Sequence, residues 1–196
     1  MPEKKDMIRD LVIQNRSYRR FKEDYKISME VLRSLVDLAR LSASARNAQP
    51  LKYILSNEKE KNDRIFGTLS WAAYLKDWGG PAPGERPSAY IVMLGDRNIA
   101  TEYFCDHGIA AQTILLGATE QGLGGCIVAS IRREELRKRL AIPEQFDILQ
   151  VIALGKPAEK VVIEPLPAGG DYKYWRDAEG IHHVPKRSPD EIILPL

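Results

Sequence analysis

Hydrophobic and polar positions along the chain fall into alternating stretches of helical and strand periodicity. Residues 6–14 carry a short amphipathic helix pattern, with Met7, Ile8, Leu11 and Val12 as its apolar positions. Ser28 is placed to cap a second helix, in which Val31, Leu32, Leu35, Val36, Leu38 and Ala39 recur at helical spacing as far as Leu41. The run from Ser42 to Pro50 is small and polar, which is loop chemistry. Residues 51–56 and 88–95 read as strands, the second richer in β-formers. One or two helices are expected between them, followed by a Pro/Gly-rich segment at 78–87 that suits no regular element.

Residues 102–121 give the strongest helix pattern. Ile109, Ala110, Thr113, Ile114, Leu115, Leu116, Gly117 and Ala118 make it apolar or small nearly all round, so it is expected to be buried on most sides, in its own core or against another subunit. Gly122, Gly124 and Gly125 end it; a charged amphipathic helix near 132–140 and a strand at 146–154 follow. The tail from Val161 holds five of the twelve prolines and a Gly-Gly pair, with scattered apolar residues. A segment of that kind rarely packs alone, and it is expected to wrap over its own domain or a neighbour. The order of elements lacks a clean βαβ period, which favours α+β over a doubly wound sheet.

Composition narrows the classes. With 196 residues, 44% hydrophobic and 29% charged, the chain suits one domain with a sizeable core. A formal charge of only +2 and no interior basic block argue against nucleic acid as the partner. No stretch approaches the ~20 apolar residues that cross a bilayer. The N-terminal MPEKKDMIRDL lacks an apolar signal core, so a cytoplasmic protein without membrane attachment is expected. Cys105 and Cys126 are too few for a disulfide framework and wrongly spaced for structural zinc, which leaves two reduced thiols.

Four clusters could carry chemistry. Directly after the first helix, Arg16, Ser17, Arg19 and Arg20 bring guanidinium forks and a hydroxyl together as phosphate ligands would be; taken locally, the same residues also suit a solvated basic turn. Ser44, Asn47 and Gln49, on the loop before the first strand, could read the polar edge of a heterocycle or simply form a hydrophilic connection. The run from Gly122 to Ser130 could bring backbone close to a flat ligand, leaving the N–H groups of Ala129 and Ser130 accessible; a helix C-cap followed by a strand explains its glycines equally well. Neither a dinucleotide fingerprint nor a P-loop is present. In the tail, His182 and His183 are adjacent and would point apart on an extended chain, which is poor geometry for one metal. Lys186 and Arg187 beside them could reach the phosphate held by Arg16, or remain a solvated pair.

In this order the clusters resemble the FMN-dependent nitroreductase superfamily over nearly the full chain. The motifs are Arg16-Ser17-x-Arg19-x-Phe21, Ser44-x-x-Asn47-x-Gln49-Pro50, the helix with Asp106-His107-Gly108 running into Gly-Leu-Gly-Gly-Cys, Gly155-Lys156-Pro157 in place of the family's Gly-Tyr-Pro, and the basic pair Lys186-Arg187. The resemblance implies an α+β fold with a mainly antiparallel sheet flanked by helices, and a homodimer with FMN at the subunit interface. It implies that Arg16, Ser17, Arg187 and Lys186 hold the phosphate and that Arg19 lies near the pyrimidine edge of the ring. It further implies that Ser44 and Asn47, in the motif that includes Gln49, reach the flavin from the partner subunit, and that the Ala129–Ser130 turn faces its reactive edge. Two departures, Ala129-Ser130 where glycines are frequent and Ile127 where Trp is frequent, bear on substrate shape.

The activity implied is hydride transfer from NADH or NADPH through FMN to a small acceptor such as a nitroaromatic or quinone. The cofactor carries the chemistry and no protein acid or nucleophile is required. Relatives that dehalogenate or consume the flavin, and a non-catalytic FMN-binding protein, are the alternatives.

Overall fold

A computed structural model of the chain describes residues 6–195; residues 1–5 of the charged N-terminal run, and residue 196, lie outside the described residues. In chain order the elements are α1 (Met7–Gln14), β1 (Phe21–Lys22), α2 (Met29–Arg40), β2 (Leu51–Ser56), α3 (Lys59–Phe66), β3 (Ala89–Asp96), α4 (Asp106–Glu120), β4 (Gly124–Val128), α5 (Arg133–Leu140) and β5 (Phe146–Pro157). The tail then adds β6 (Val161–Pro165), β7 (Trp175–Arg176), β8 (His182–Lys186) and α6 (Pro189–Ile192).

Every residue of β3 is buried, because the strand lies between two apolar layers. Ala89, Ile91 and Met93 join the cluster built on Leu32, Leu35, Ala111, Ile114 and Ala118 of α2 and α4. Tyr90, Val92 and Leu94 join the opposite cluster with Ile65 of α3 and Leu136 of α5. This alternation is the period-2 geometry of a strand covered on both faces. β2 and β5 pair antiparallel on either side of β3, with Ile91 opposite both Leu55 and Ile152. β4 and β1 pair antiparallel with β5, so the whole main sheet is antiparallel and the fold is α+β.

Ser28 caps α2 as its position suggested, its Oγ accepting from Val31 N at 3.2 Å. α4 begins at Asp106, later than the apolar pattern implied, because residues 102–105 form a turn in which Phe104 has φ 42°. Only Gly122 of the three glycines serves the helix exit, with φ 67°. Gly124 and Gly125 lie in β4 and work by absence of bulk: a Cβ on Gly124 would sit 2.5 Å from the Tyr18 ring, and one on Gly125 2.7 Å from the Ala153 carbonyl.

The tail carries regular structure that its scattered apolar residues did not reveal. β8 lies between β6 (parallel) and β7 (antiparallel), forming a small second sheet. It is anchored to the main body where His182 N donates to Lys160 O at 2.9 Å and Arg176 pairs with the buried carboxylate of Glu159 at 2.8 Å.

Candidate functional site

The segment that follows α1 is laid along the free edge of β4. Ser17 forms a parallel bridge with Gly125, and Tyr18 N donates to Gly125 O at 3.0 Å. Glu159 then fixes the next peptide units, accepting from Arg19 N at 2.5 Å and Arg20 N at 3.1 Å while it pairs with Arg176 of the tail. One carboxylate, whose side chain is only 2% exposed, therefore joins the early basic motif to the C-terminal sheet. The arrangement satisfies the buried charge on three sides, as a buried carboxylate requires.

Above this junction lies a cleft of 360 Å³, lined by Asn15, Arg16, Ser17, Arg19, Gln112, Leu115, Ile127, Tyr174, His182, Val184 and Lys186. Arg16, Arg19 and Lys186 make it cationic, and none of its lining residues is an acid. Arg16 Nη2 donates to Val12 O at 2.6 Å, at the C-terminal end of α1, whereas its Nε is buried with no partner among the described residues. Burial lowers the Arg16 pKa, though a guanidinium stays charged at any ordinary pH. Arg19 Nη1 lies 3.2 Å from Ser17 O and 3.3 Å from His182 Nε2, with its guanidinium 4.8 Å above the Tyr174 ring centre. A cleft lined by cations without counter-charge has the electrostatic character that an anion favours.

Arg19 and Ile127 also line an adjoining hollow of 220 Å³ with Ser70, Trp71, Ala72, Ala73, Cys126, Val128, Ala129 and Ser130. The turn Ala129–Ser130 is held by its carbonyls, Ala129 O accepting from Arg133 Nη2 at 3.3 Å and Ser130 O from Ser70 N at 3.0 Å. The Cys126 thiol at its floor is pushed up by burial and so stays protonated. Arg16, Ser17, Arg19 and Lys186 thus line one hollow and Ala129 and Ser130 the next, the two sharing Arg19 and Ile127.

Ser44, Asn47 and Gln49 are placed elsewhere on this chain. Arg46, Asn47 and Gln49 all have φ between 52° and 54°, left-handed values that side chains avoid at a cost of about 1–2 kcal/mol each. Asp106, at the start of α4, holds the loop in this form. Its carboxylate accepts from Ser44 Oγ at 2.6 Å and Ala45 N at 2.9 Å, while Ser44 Oγ accepts from Gln49 N at 2.9 Å. Asp106 and Ala110 border that loop, whereas Gln112 of the same helix borders the cationic cleft, so α4 separates the two sites within one chain. Strain of this kind gathers where a loop serves a ligand or partner.

Arg187, grouped with Lys186 on sequence, does not line the cleft. β8 ends at Lys186 and Ser188 caps α6, which turns Arg187 onto the helix, where it pairs with Glu191. His183 also faces away from His182: it stacks on Trp175 at 4.0 Å and bonds the carboxylates of Glu164 and Asp177. Among the described residues no group of three or more His, Cys, Asp or Glu could hold a metal ion. A larger cavity of 680 Å³ lies between residues 23–28, α3 and the start of β3. Several of its charges are already spent on one another, Asp63 on Lys59 and Arg86, and Glu23 on the backbone N–H of Gly84.

Sequence reasoning missed Glu159, Tyr174 and the inward turn of His182, and it gave Asp106, a member of one motif, no role. Glu159 and Asp106 act on residues far away in the chain, and no local spacing announces such a partner. Tyr172, Lys173, Tyr174, Trp175 and Arg176 are each aromatic or basic, which was the one available signal in the tail.

An antiparallel sheet between helical layers thus carries an acid-free cationic cleft along its edge. A sequence model described as the Nitroreductase family matches residues 12–156, and the chain belongs to the nitroreductase family. It is 31% identical over 150 residues, 74% of each chain, to a Methanothermobacter thermautotrophicus protein named "Putative NADH dehydrogenase/NAD(P)H nitroreductase". Among solved structures, a nitroreductase family protein of Streptococcus pneumoniae superposes with a TM-score of 0.69 at 19% identity, over 96% of this chain and 100% of that one. An FMN-dependent nitroreductase of Clostridium difficile superposes with a TM-score of 0.63 at 22% identity, over 86% and 97%. Among the described residues no helix is long and apolar enough to cross a membrane.

Proposed function

We propose that the chain is an FMN-dependent oxidoreductase that takes reducing equivalents from NADH or NADPH and passes them to a small oxidised acceptor, such as a nitroaromatic or quinone, in a ping-pong sequence. The observation that carries this reading is the pair of adjoining hollows that share Arg19 and Ile127, lined by three cations and no acid. The residues fit FMN: Arg16, Ser17 and Lys186 would hold the phosphate, Arg19 would meet the pyrimidine edge of the ring, and the Ala129–Ser130 turn would lie against its reactive edge. When bound, FMN supplies the hydride and electron transfer itself. The chain's own contribution is a fixed positive field at Arg19, which favours negative charge on the ring, and a recess narrow enough to orient reactants.

In this reading the enzyme is a homodimer. Ser44, Asn47 and Gln49 lie across α4 from the cleft of their own chain, and would complete the corresponding cleft of a second copy. The names of the relatives, which pair nitroreductase with NADH, NAD(P)H or FMN, support the choice of donor and cofactor.

Titration of the purified protein with FMN, followed by anaerobic addition of NADH or NADPH, tests the proposal. A yellow complex that bleaches with a nicotinamide is expected. A protein that takes up no FMN would overturn it; bleaching by dithionite but by neither nicotinamide would instead support other flavin chemistry on this fold.

A further inference from the structure

The sequence offered His182 and His183 no shared role, and the hydride chemistry above does not use them. Their placement gives the first of them one. His182 is 1% exposed, and Arg19 Nη1 lies 3.3 Å from its Nε2. Tyr174 packs against both, with its ring centre 5.1 Å from that of His182 and 4.8 Å from the Arg19 guanidinium carbon. Ser17 O takes the same Nη1 at 3.2 Å. The head of Arg19 is therefore bounded by one backbone acceptor, one ring face and one imidazole nitrogen, two of the three supplied by the tail.

We propose that His182 is a positioning residue, which accepts a hydrogen bond from Arg19 and holds that guanidinium in one orientation toward the pyrimidine edge of the bound flavin. This inference rests on the FMN reading given above.

The chemistry of the pair is constrained. A guanidinium has donors only, so the shared contact requires a bare lone pair on Nε2 and places the imidazole proton on Nδ1. Nδ1 is buried and has no partner among the described residues, so no donor claims its lone pair and sets the opposite tautomer. The cations around the ring, Arg19 and Arg176, together with His183, and above all its burial, lower the His182 pKa to about 4, which keeps the lone pair available at neutral pH. Lys186 and Arg16 add further positive charge from the cleft, while the Glu159 carboxylate is committed to Arg176 and to the Arg19 and Arg20 N–H groups. An arginine head is carried on a long flexible stem. Left unheld, it would distribute its field over many orientations; held, it delivers that field at one place, which is what electrostatic preorganisation requires.

The test compares wild type, His182→Leu, His182→Gln and Arg19→Ala, each loaded with FMN, by the midpoint potential of the bound flavin. His182→Leu should shift the potential negative, by at least half the shift of Arg19→Ala, because Arg19 loses its acceptor. His182→Gln should recover most of that shift, since the amide oxygen can stand where Nε2 stood. A His182→Leu protein that binds FMN at the wild-type potential overturns the proposal, and so does a Gln variant no closer to wild type than Leu. Nitrogen-15 shifts of the His182 ring in the FMN-free protein test the pair without flavin. The Nδ1–H tautomer is expected in wild type and a change of tautomer in Arg19→Ala; an Nε2–H ring in wild type overturns the proposal whatever the flavin does. A wild type that binds no FMN but shows the Nδ1–H ring overturns the flavin reading, and with it the role of the pair toward the ring, so the two failures are distinguishable.

Discussion

Arg16 shows how a single side chain can be committed and still available. One guanidinium nitrogen caps the carbonyl end of α1, and the side chain still lines the cationic cleft. A guanidinium has five N–H donors, so the contact to Val12 leaves others that a phosphate oxygen in the cleft would meet. Arg16→Ala should weaken FMN binding by about 10- to 100-fold, from roughly 1.5–3 kcal/mol for a charge-assisted hydrogen bond. Fluorescence titration of FMN into the variant reads this directly, and an unchanged dissociation constant would remove Arg16 from the anchor. The cationic cluster itself was visible in the sequence, because its members are neighbours in the chain. Its orientation was not, since Glu159 and Gly125, which set it, lie more than a hundred residues away.

At the scale of elements, the C-terminal sheet depends on two adjacent histidines with opposite responses to pH. His183 is raised by its hydrogen bonds to Asp177 and Glu164, so its protonated form adds stability that is fully present below the ordinary value of about 6.5 and is lost as pH climbs through the raised value. His182 is lowered to about 4, chiefly by burial. Between about 4 and 6.5 the unfolded chain therefore binds the proton that the native His182 refuses, and stability falls on acidification across that window. The two signs together predict that the C-terminal sheet is firmest near pH 6–7 and weakens on either side. Hydrogen exchange of β8 amides against pH reads the effect; His182→Gln should remove the loss on the acid side and His183→Gln that on the alkaline side. A profile unchanged by either substitution would show that neither histidine controls the stability of that sheet.

For the whole molecule, the informative feature is apolar surface left uncovered. α1 buries no residue, and Met7, Ile8, Val12 and Ile13 are all exposed, as are Phe104 and Ile109 beside the start of α4. Apolar surface on this scale is the mark of an interaction face, and α4 was expected to be covered either by its own core or by another subunit. Its inner face packs on α2, where Gly117 lets Leu38 approach, and its outer face, through Ile109 and Gln112, remains open. A homodimer through α1 and α4 would close that face and bring the strained loop of one chain to the cleft of the other. Sedimentation should accordingly find wild type as a dimer, and Val12→Glu with Ile109→Glu should yield a folded monomer that binds FMN poorly. A monomeric wild type that still retains FMN would exclude a shared site.

By itself the sequence determined the class of most elements, the apolar positions of α2 and α4, and the identity of the basic groups in the cleft. These follow from periodicity and local chemistry, which act over a few residues. Only the tertiary structure decided that Lys186 enters the cleft while Arg187 leaves it, that the glycines of β4 make room for Tyr18, that Glu159 joins the two ends of the chain, and that His182 turns inward onto Arg19. Each of these is a contact between segments whose separation in sequence carries no periodic trace, and each is set by packing and by the need of buried polar groups for partners.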